Sequence, residues 1–398
     1  MKTLNNTEIK NKKIIFRADL NVPLVNRKIS DHSRIDSIIP SLKELIEKKN
    51  KIFLIAHLGR PRGVLDEKLS LNFLCDIIKQ KLQISKVHFL KTFNNKEIKD
   101  KQSEMKDGEI CLFENIRFYK EEENNEEDFA RNLSSNFEIY VNDAFSASHR
   151  SHSSIVGLPK FLPSFAGLNF MKEIKNLNSF LNEAKKPNLA IIGGAKISTK
   201  IKVIYNLIYL FDSIVIGGAM ANTFLAASNT DIGKSLYEKD FIKVAQNILI
   251  KAKSQNCKII LPIDAVCSNN LENNTNILKC NIDKVPNDQM ILDIGDRTIN
   301  LISNEITECH SVLWNGPLGA FEFKPFDRGS IVIADVIKKN FINLKLDSLA
   351  GGGDTLSAIN LAKAKDGFKY LSNAGGAFLE WLEGEKSPGY IAIENNKL

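Results

Sequence analysis

Residues 14–23 read IIFRADLNVP: three apolar side chains run into Arg17, Asp19 and Asn21, and Pro23 stops the pattern. Side chains alternate along a strand with a period of two, so Arg17, Asp19 and Asn21 share one face while Ala18, Leu20 and Val22 take the other. Pro23 has no N–H to give a ladder, so the strand ends near it. A polar row at the carboxyl end of a buried strand is where open α/β sheets bind ligands. The plainer explanation is a solvated strand end with an internal Arg–Asp pair. What separates the two is whether other strands end in the same way.

Outward from this stretch, short apolar runs alternate with helix-like ones. Candidate strands in the first half are 12–17, 51–56, 110–113 and 138–142, with amphipathic stretches at 34–48 and 70–82 between them. The second half repeats the scheme at 188–192, 213–216, 258–261, 311–314 and 347–350. Alternation of this kind predicts parallel sheets with helices on both faces. A length of 398 residues with 43% hydrophobic and 25% charged side chains is ordinary globular composition, and two domains are expected. The seam falls near 166–187, where LPKFLPSFAGLNF gives way to a helix that ends before Pro187. The acidic run YKEEENNEEDFARNL (119–133) reads as a solvated loop feeding a helix N-terminus.

The start of the chain lacks the apolar core of a signal peptide, and no run approaches the roughly 18–20 apolar residues that span a bilayer. The six cysteines include no C-x-x-C pair, which suits reduced thiols and predicts a cytoplasmic protein. The formal charge is +7, but only ten of the 54 basic residues are Arg, and eight of those lie at or before Arg150. In a chain that otherwise uses Lys, Arg marks places where a planar fork matters, which points to an anion site in the first 150 residues. Nucleic acid is the competing partner, but no basic stripe interleaved with aromatics and no binding motif is present.

Every early strand ends like the first. The run 51–56 leads into His57-Leu58-Gly59-Arg60, 110–113 into ENIRF with Arg117, and 138–142 into DAFSASHRSHSS with His149, Arg150 and His152; Arg34 opens the first helix. Converging arginines with a histidine suit a small, multiply anionic ligand. His149 and His152 have no Cys or acidic partner at ligand spacing, so a structural or phosphate-contacting role is favoured over a metal. The second half uses glycine instead: Gly193-Gly194 followed by Lys196 and Lys200, placed four apart on one helix face, then Gly217-Gly218 and Asn315-Gly316-Pro317-Leu318-Gly319 with Glu322. Gly351-Gly352-Gly353 with Asp354 and Thr355, and Gly375-Gly376, complete the series. Glycine lets a backbone approach a phosphate, and helix N-termini offer free N–H groups to it, so five such turns predict a nucleotide site. Asp354 is placed to hold a phosphate-bound Mg²⁺. Neither G-x-x-x-x-G-K-[ST] nor an ordered G-x-G-x-x-G is present, and protein-kinase loop motifs are absent.

Together FRADLNVP, AHLGRP, ENIRF, DAFSASHRSHSS, GGAKISTK, GGAMANTF, WNGPLGAFE and GGGDT resemble phosphoglycerate kinases, in order and over essentially the whole chain. The resemblance implies an α/β protein of two Rossmann-like domains, each a parallel sheet with helices on both faces, joined by a hinge helix across a cleft. Residues 1–167 would bind 3-phosphoglycerate, 168–186 form the hinge, 187–384 bind nucleotide, and 385–398 return to the first domain. The implied reaction is reversible transfer of the ATP γ-phosphoryl to the carboxylate of 3-phosphoglycerate, with Mg²⁺ as MgATP or MgADP, in a cytoplasmic monomer with no nucleic-acid or membrane partner.

Position by position, the resemblance assigns Asp19, Leu20, Asn21, Arg34, His57, Leu58, Gly59, Arg60, Arg117 and Arg150 to 3-phosphoglycerate. It assigns Lys200, Gly217, Gly218, Asn315, Pro317, Glu322, Gly351, Gly352, Gly353, Asp354 and Thr355 to nucleotide. Arg34, Lys196 and Lys200 would serve the transferring phosphoryl, and Asp354 the Mg²⁺. The chain departs from the family pattern at Ala56, Ala219, Asn373 and Ala374. The rivals from other classes are a dinucleotide-dependent dehydrogenase, which would need the missing fingerprint, and a nucleic-acid-binding protein, which would show steep salt dependence.

Overall fold

Two-sided burial explains why the strands read as unbroken apolar runs. The computed structural model describes residues 1–25, 28–344 and 346–398. In it β1 (Lys13–Arg17) directs Ile14 and Phe16 into one core cluster, continued past the strand end by Ala18, Leu20 and Val22. Ile15 lies in a second cluster with Phe53 and Tyr140. The alternation read from residues 14–23 therefore holds: apolar side chains pack on one side, and Arg17 and Asp19 are buried on the other.

The chain divides into two units, Met1–Lys175 with Lys386–Leu398, and Asn176–Glu385. In the first, β1 is joined by β2 (Lys51–Ile55), β3 (Val87–Leu90), β4 (Ile110–Phe113), β5 (Ile139–Asn142) and β6 (Ser164–Ala166). They form one parallel sheet in the order β3-β4-β2-β1-β5-β6. Arg17 is in register with Ile55 on one side and Asn142 on the other, so three strand ends lie abreast. The connections run one way from β1 to β2 and the other way from β5 to β6, which opens a crevice at the carboxyl ends of β1 and β5. Helix α1 (Ser33–Glu47) packs through Ile35, Ile38, Leu42 and Leu45, and α2 (Leu74–Leu82) through Leu74, Ile78 and Leu82, both at helical spacing.

The acidic stretch 119–133 feeds a helix N-terminus as expected, but it is not solvated throughout. It contains a helical turn at Lys120–Glu123 and a helix at Glu127–Ser134, and Glu122 is 0% exposed. Ser154, far along the chain, gives it hydrogen bonds from its backbone N–H (2.8 Å) and its hydroxyl (2.6 Å), which makes burial of this carboxyl tolerable. The helix α3 (Leu168–Glu183) ends before Pro187, as the sequence predicts.

The second unit contains β7 (Asn188–Ile192), β8 (Ser213–Ile216), β9 (Lys258–Ile260), β10 (Asp264–Ser268), β11 (Leu278–Asn281), β12 (Met290–Ile294), β13 (Ser311–Asn315), β14 (Asp347–Gly351) and β15 (Tyr370–Ser372). Six of these make a parallel sheet in the order β9-β8-β7-β13-β14-β15. This is a doubly wound order, with its switch point between β7 and β13. The remaining three form a small antiparallel sheet, β11-β10-β12.

Candidate functional site

In the first unit the ends of β1, β2, β4 and β5 form a cationic basin. Asp19 accepts hydrogen bonds from Arg34, in the first turn of α1, and from the Ser146 hydroxyl. The Asn21 side-chain oxygen accepts the Gly59 N–H (2.9 Å), which fastens the end of β1 to the turn after β2. Gly59 has φ +64°, a left-handed conformation that favours glycine. Its carbonyl accepts from Arg117 (3.0 Å), so the same turn also fixes an arginine from the end of β4.

Arg117 is buried, and its Nε has no hydrogen-bond partner, although the Glu123 carboxylate lies 3.5 Å away. Burial and then Arg17 lower its pKa to about 10. Arg60 is exposed and Arg150 half-buried, and neither meets a carboxylate among the described residues. His57 is buried with Nδ1 3.1 Å from Arg17. Burial, then Arg17, Arg117 and Arg34, hold its pKa well below the usual histidine value. The His149 ring bonds the Ser146 carbonyl (2.8 Å). Burial and the neighbouring arginines lower its pKa, and lower that of His152 to about 3. A field that discourages every further positive charge suits an anion. Leu20 and Leu58 turn their side chains into the core, so only their backbones are available to a ligand.

In the second unit the switch point is built on close backbone approach. A Cβ on Gly193 would stand 2.0 Å from the Pro317 carbonyl oxygen, and one on Gly316 would stand 2.2 Å from that of Gly193. The two expected lysines are not on one helix face. Lys196 is exposed and extended, a 3-10 turn covers Ile197–Thr199, and helix α4 (Ile201–Leu210) begins only after Lys200. The i,i+4 relation of a helix therefore does not apply to them.

Lys200 donates to the Asn315 side-chain oxygen, and Asn315 in turn donates to the Gly351 carbonyl (2.7 Å). The Thr355 hydroxyl accepts the Gly316 N–H (2.7 Å), so the ends of β7, β13 and β14 are tied together. Burial lowers the Lys200 pKa to about 8, against a smaller opposing pull from Asp354. Helices α5 (Ala219–Ala227), α6 (Gly353–Leu361) and α7 (Gly376–Leu382) start directly after glycines at these strand ends. Ala374, one residue before that turn, is buried, and its N–H reaches the Ser372 hydroxyl at 3.2 Å.

Two cavities meet here. One, of about 270 Å³, is lined by Gly193, Gly194, Lys200, Gly353, Asp354 and Gly375. The other, of about 290 Å³, is walled by Leu236, Leu271, Met290, Leu292 and Leu318, with Glu322 at its rim. Both include Gly194, Pro317 and Asp354, so an apolar slot runs into a glycine-lined, lysine-ended channel. That shape suits a flat heterocycle followed by a row of phosphates. Gly217, Gly218, Gly351 and Gly352 stand at the strand ends around it. The apolar wall escaped the sequence reading, although the run Met290-Ile291-Leu292 was its visible signal.

Residues 4–385 match the phosphoglycerate kinase family. Proteins named phosphoglycerate kinase from Brucella abortus biovar 1 (strain 9-941) and Chelativorans sp. (strain BNC1) are 44% and 43% identical to it, each over 99% of both chains. The structure of phosphoglycerate kinase from Coxiella burnetii matches with a TM-score of 0.88 and 33% identity, covering 99% of each chain. That from Pyrococcus horikoshii OT3 matches with a TM-score of 0.83 and 27% identity, covering 99% of this chain and 98% of that one.

Proposed function

The chain belongs to the phosphoglycerate kinase family, and on that premise we propose how its residues share the reaction. The enzyme is a phosphotransferase that moves the ATP γ-phosphoryl reversibly to the carboxylate of 3-phosphoglycerate, giving 1,3-bisphosphoglycerate and ADP.

Under this reading the basin holds 3-phosphoglycerate: Asn21, His57, Arg60, Arg117 and Arg150 bind its anionic groups, with the backbones of Leu20, Leu58 and Gly59 close by. Asp19 keeps Arg34 oriented and is available to the substrate hydroxyl. In the second unit the apolar slot takes the base, Glu322 the ribose, and the 351–355 loop the phosphates, together with Gly217, Gly218, Asn315 and Pro317. Lys200 meets the transferring phosphoryl, and the exposed Lys196 reaches the same region.

The nucleophile is a carboxylate, ionised at neutral pH, so no general base is needed. The side chains instead orient the reactants and neutralise charge during an in-line transfer, with Arg34 and Lys200 as the principal cations. Asp354 is exposed at the start of α6 and lines both cavities. A single carboxylate beside a phosphate channel fits Mg²⁺, which keeps most of its waters and takes its other ligands from phosphates. When bound, Mg²⁺ would neutralise phosphate charge there. Among the described residues no helix is long and apolar enough to cross a membrane; a cytoplasmic monomer is the state we propose.

The observation that carries this division of labour is the pairing of an arginine-rich basin in one unit, where Arg60 and Arg150 meet no carboxylate among the described residues, with a slot and glycine channel in the other. The test is turnover of MgATP with 3-phosphoglycerate, followed through an NADH-consuming glyceraldehyde-3-phosphate dehydrogenase. The expected result is turnover that needs both substrates and Mg²⁺. Failure to bind either ligand would overturn the assignment.

A further inference from the structure

Behind the basin lies a buried polar chain with no part in the scheme above. The Arg17 side chain is 0% exposed, and all three of its nitrogens are engaged. Nε donates to the Ser154 hydroxyl (2.9 Å), one terminal nitrogen to the Ala18 carbonyl (2.6 Å), and the other faces His57 Nδ1 (3.1 Å). Ser154 passes the connection on, donating through its hydroxyl and its backbone N–H to the buried Glu122 carboxyl. The Tyr140 hydroxyl holds the Ser154 carbonyl (2.7 Å), and the His152 ring stands 3.7 Å from Glu122. Four segments distant in sequence thus hold one guanidinium against one ring nitrogen.

A guanidinium has only donors. The His57 nitrogen facing it must therefore accept, and on a neutral imidazole the ring hydrogen then sits on the other nitrogen. No protein group among the described residues bonds that nitrogen, Nε2, although the residue is only 6% exposed.

We propose that Arg17, held by Ser154 and Glu122, is a positioning residue that fixes His57 as a neutral imidazole with its hydrogen on Nε2, so that this ring gives phosphoglycerate one directed hydrogen bond and no charge. The role given to the substrate rests on the assignment of the basin above. The groups facing His57 are Arg17, Arg34, Arg117 and His152; the three arginines disfavour a second ring proton, as does burial, while His152 is itself held neutral. Glu122 faces Arg17, Arg117 and His152, and not the ligand side of His57. The basin thus separates two jobs: the exposed and half-buried arginines supply charge, and His57 supplies direction. The part of binding due to His57 should then be insensitive to pH across the range in which an ordinary histidine titrates, leaving only the titration of the substrate's own phosphate, at about pH 6.

The experiment is ¹⁵N NMR of protein labelled on histidine, with His57 assigned by its loss in His57→Gln. Without any ligand, wild-type His57 is expected to show one protonated nitrogen, Nε2, unchanged from pH 5.5 to 8. A ring that titrates in that range, or carries its hydrogen on Nδ1, would overturn the proposal. Ser154→Ala removes the oxygen between Arg17 and Glu122 without touching the basin. It is expected to mix the tautomers and raise KM for 3-phosphoglycerate roughly three- to tenfold, the effect of one misplaced hydrogen bond, with kcat within about twofold. A folded Ser154→Ala protein with His57 still locked on Nε2 would refute the part given to Ser154 and Glu122. Because the spectrum is read without substrate, a failed kinase assignment would leave it unaffected and the two failures would be told apart.

Discussion

Lys200→Met is expected to make the protein more stable and the enzyme nearly inert. Holding the Lys200 ammonium in its half-buried place moves its pKa from 10.5 down to about 8. At 1.36 kcal/mol per unit this is roughly 3 kcal/mol of native-state cost at neutral pH. The folded pKa lies below the unfolded one, so the cost is full below about pH 8 and vanishes as pH rises past 10.5. Methionine keeps the stem and removes the charge, but forfeits the charge-assisted hydrogen bond to Asn315, worth about 1.5 kcal/mol.

A net gain of roughly 2 kcal/mol corresponds to about 4–8 °C in Tm for a unit of this size. Loss of the cation should lower kcat at least about 100-fold. In the wild type, kcat/KM for nucleotide reports the free enzyme and should fall about tenfold per pH unit above pH 8. Calorimetry at pH 7 and pH 10 with coupled kinetics from pH 7 to 9.5 tests all three. A variant no more stable than wild type at pH 7, or a wild-type profile flat to pH 9.5, would refute the reasoning.

Three further outcomes are open to direct measurement. Arg34→Ala should lower kcat by about 100- to 1,000-fold with less than about fivefold change in KM, since Arg34 is assigned to the transition state; a change in KM alone would count against that role. Gly193→Ala places a Cβ 2.0 Å from the Pro317 carbonyl oxygen, where backbone must move, and should cost roughly 1–3 kcal/mol or more; an unchanged melting temperature would show that the switch point is not tightly packed. Asp293 is buried and accepts from the Gly329 (2.7 Å) and Ile294 (2.9 Å) N–H groups, and burial pushes its pKa up to about 8. Its folded pKa exceeds its unfolded one, so the wild type loses stability from about pH 4 to pH 8 and Asp293→Asn should not. The Tm difference between the two should widen in the variant's favour from pH 5 to 8, and a constant difference would contradict this.

Nine of the twelve parallel strands were legible because they show as apolar runs; the edge strands Val87–Leu90, Ser164–Ala166 and Tyr370–Ser372 were not, being short or only partly buried. The polar and glycine-rich ends proposed to bind ligands were legible because parallel strands bring their carboxyl ends to one edge. The glycine pairs were readable for a local reason: a Cβ is excluded there. The strands β10 to β12 were not, because Leu278–Asn281 is mostly exposed and polar and Asp264–Ser268 does not alternate. With them went the apolar wall of the slot. The placement of Lys196 and Lys200 failed because a 3-10 turn and a helix carry the same polar composition. Glu122 looked solvated because the groups that make its burial tolerable come from Ser154, and no pattern within 119–133 announces them.

The chain's residues 386–398 belong to the first unit. Asn396 donates to the Pro159 (2.7 Å) and Leu162 (3.0 Å) carbonyls and accepts the Ser164 N–H (3.1 Å) beside β6, while Ile393 is buried. During synthesis these residues leave the ribosome only after the whole of the second unit has been made. The first unit, although translated earlier, must wait with its β6 margin uncovered until then. The usual N-terminal-first order of vectorial folding is therefore broken here: the earlier-made half is the later one to be finished.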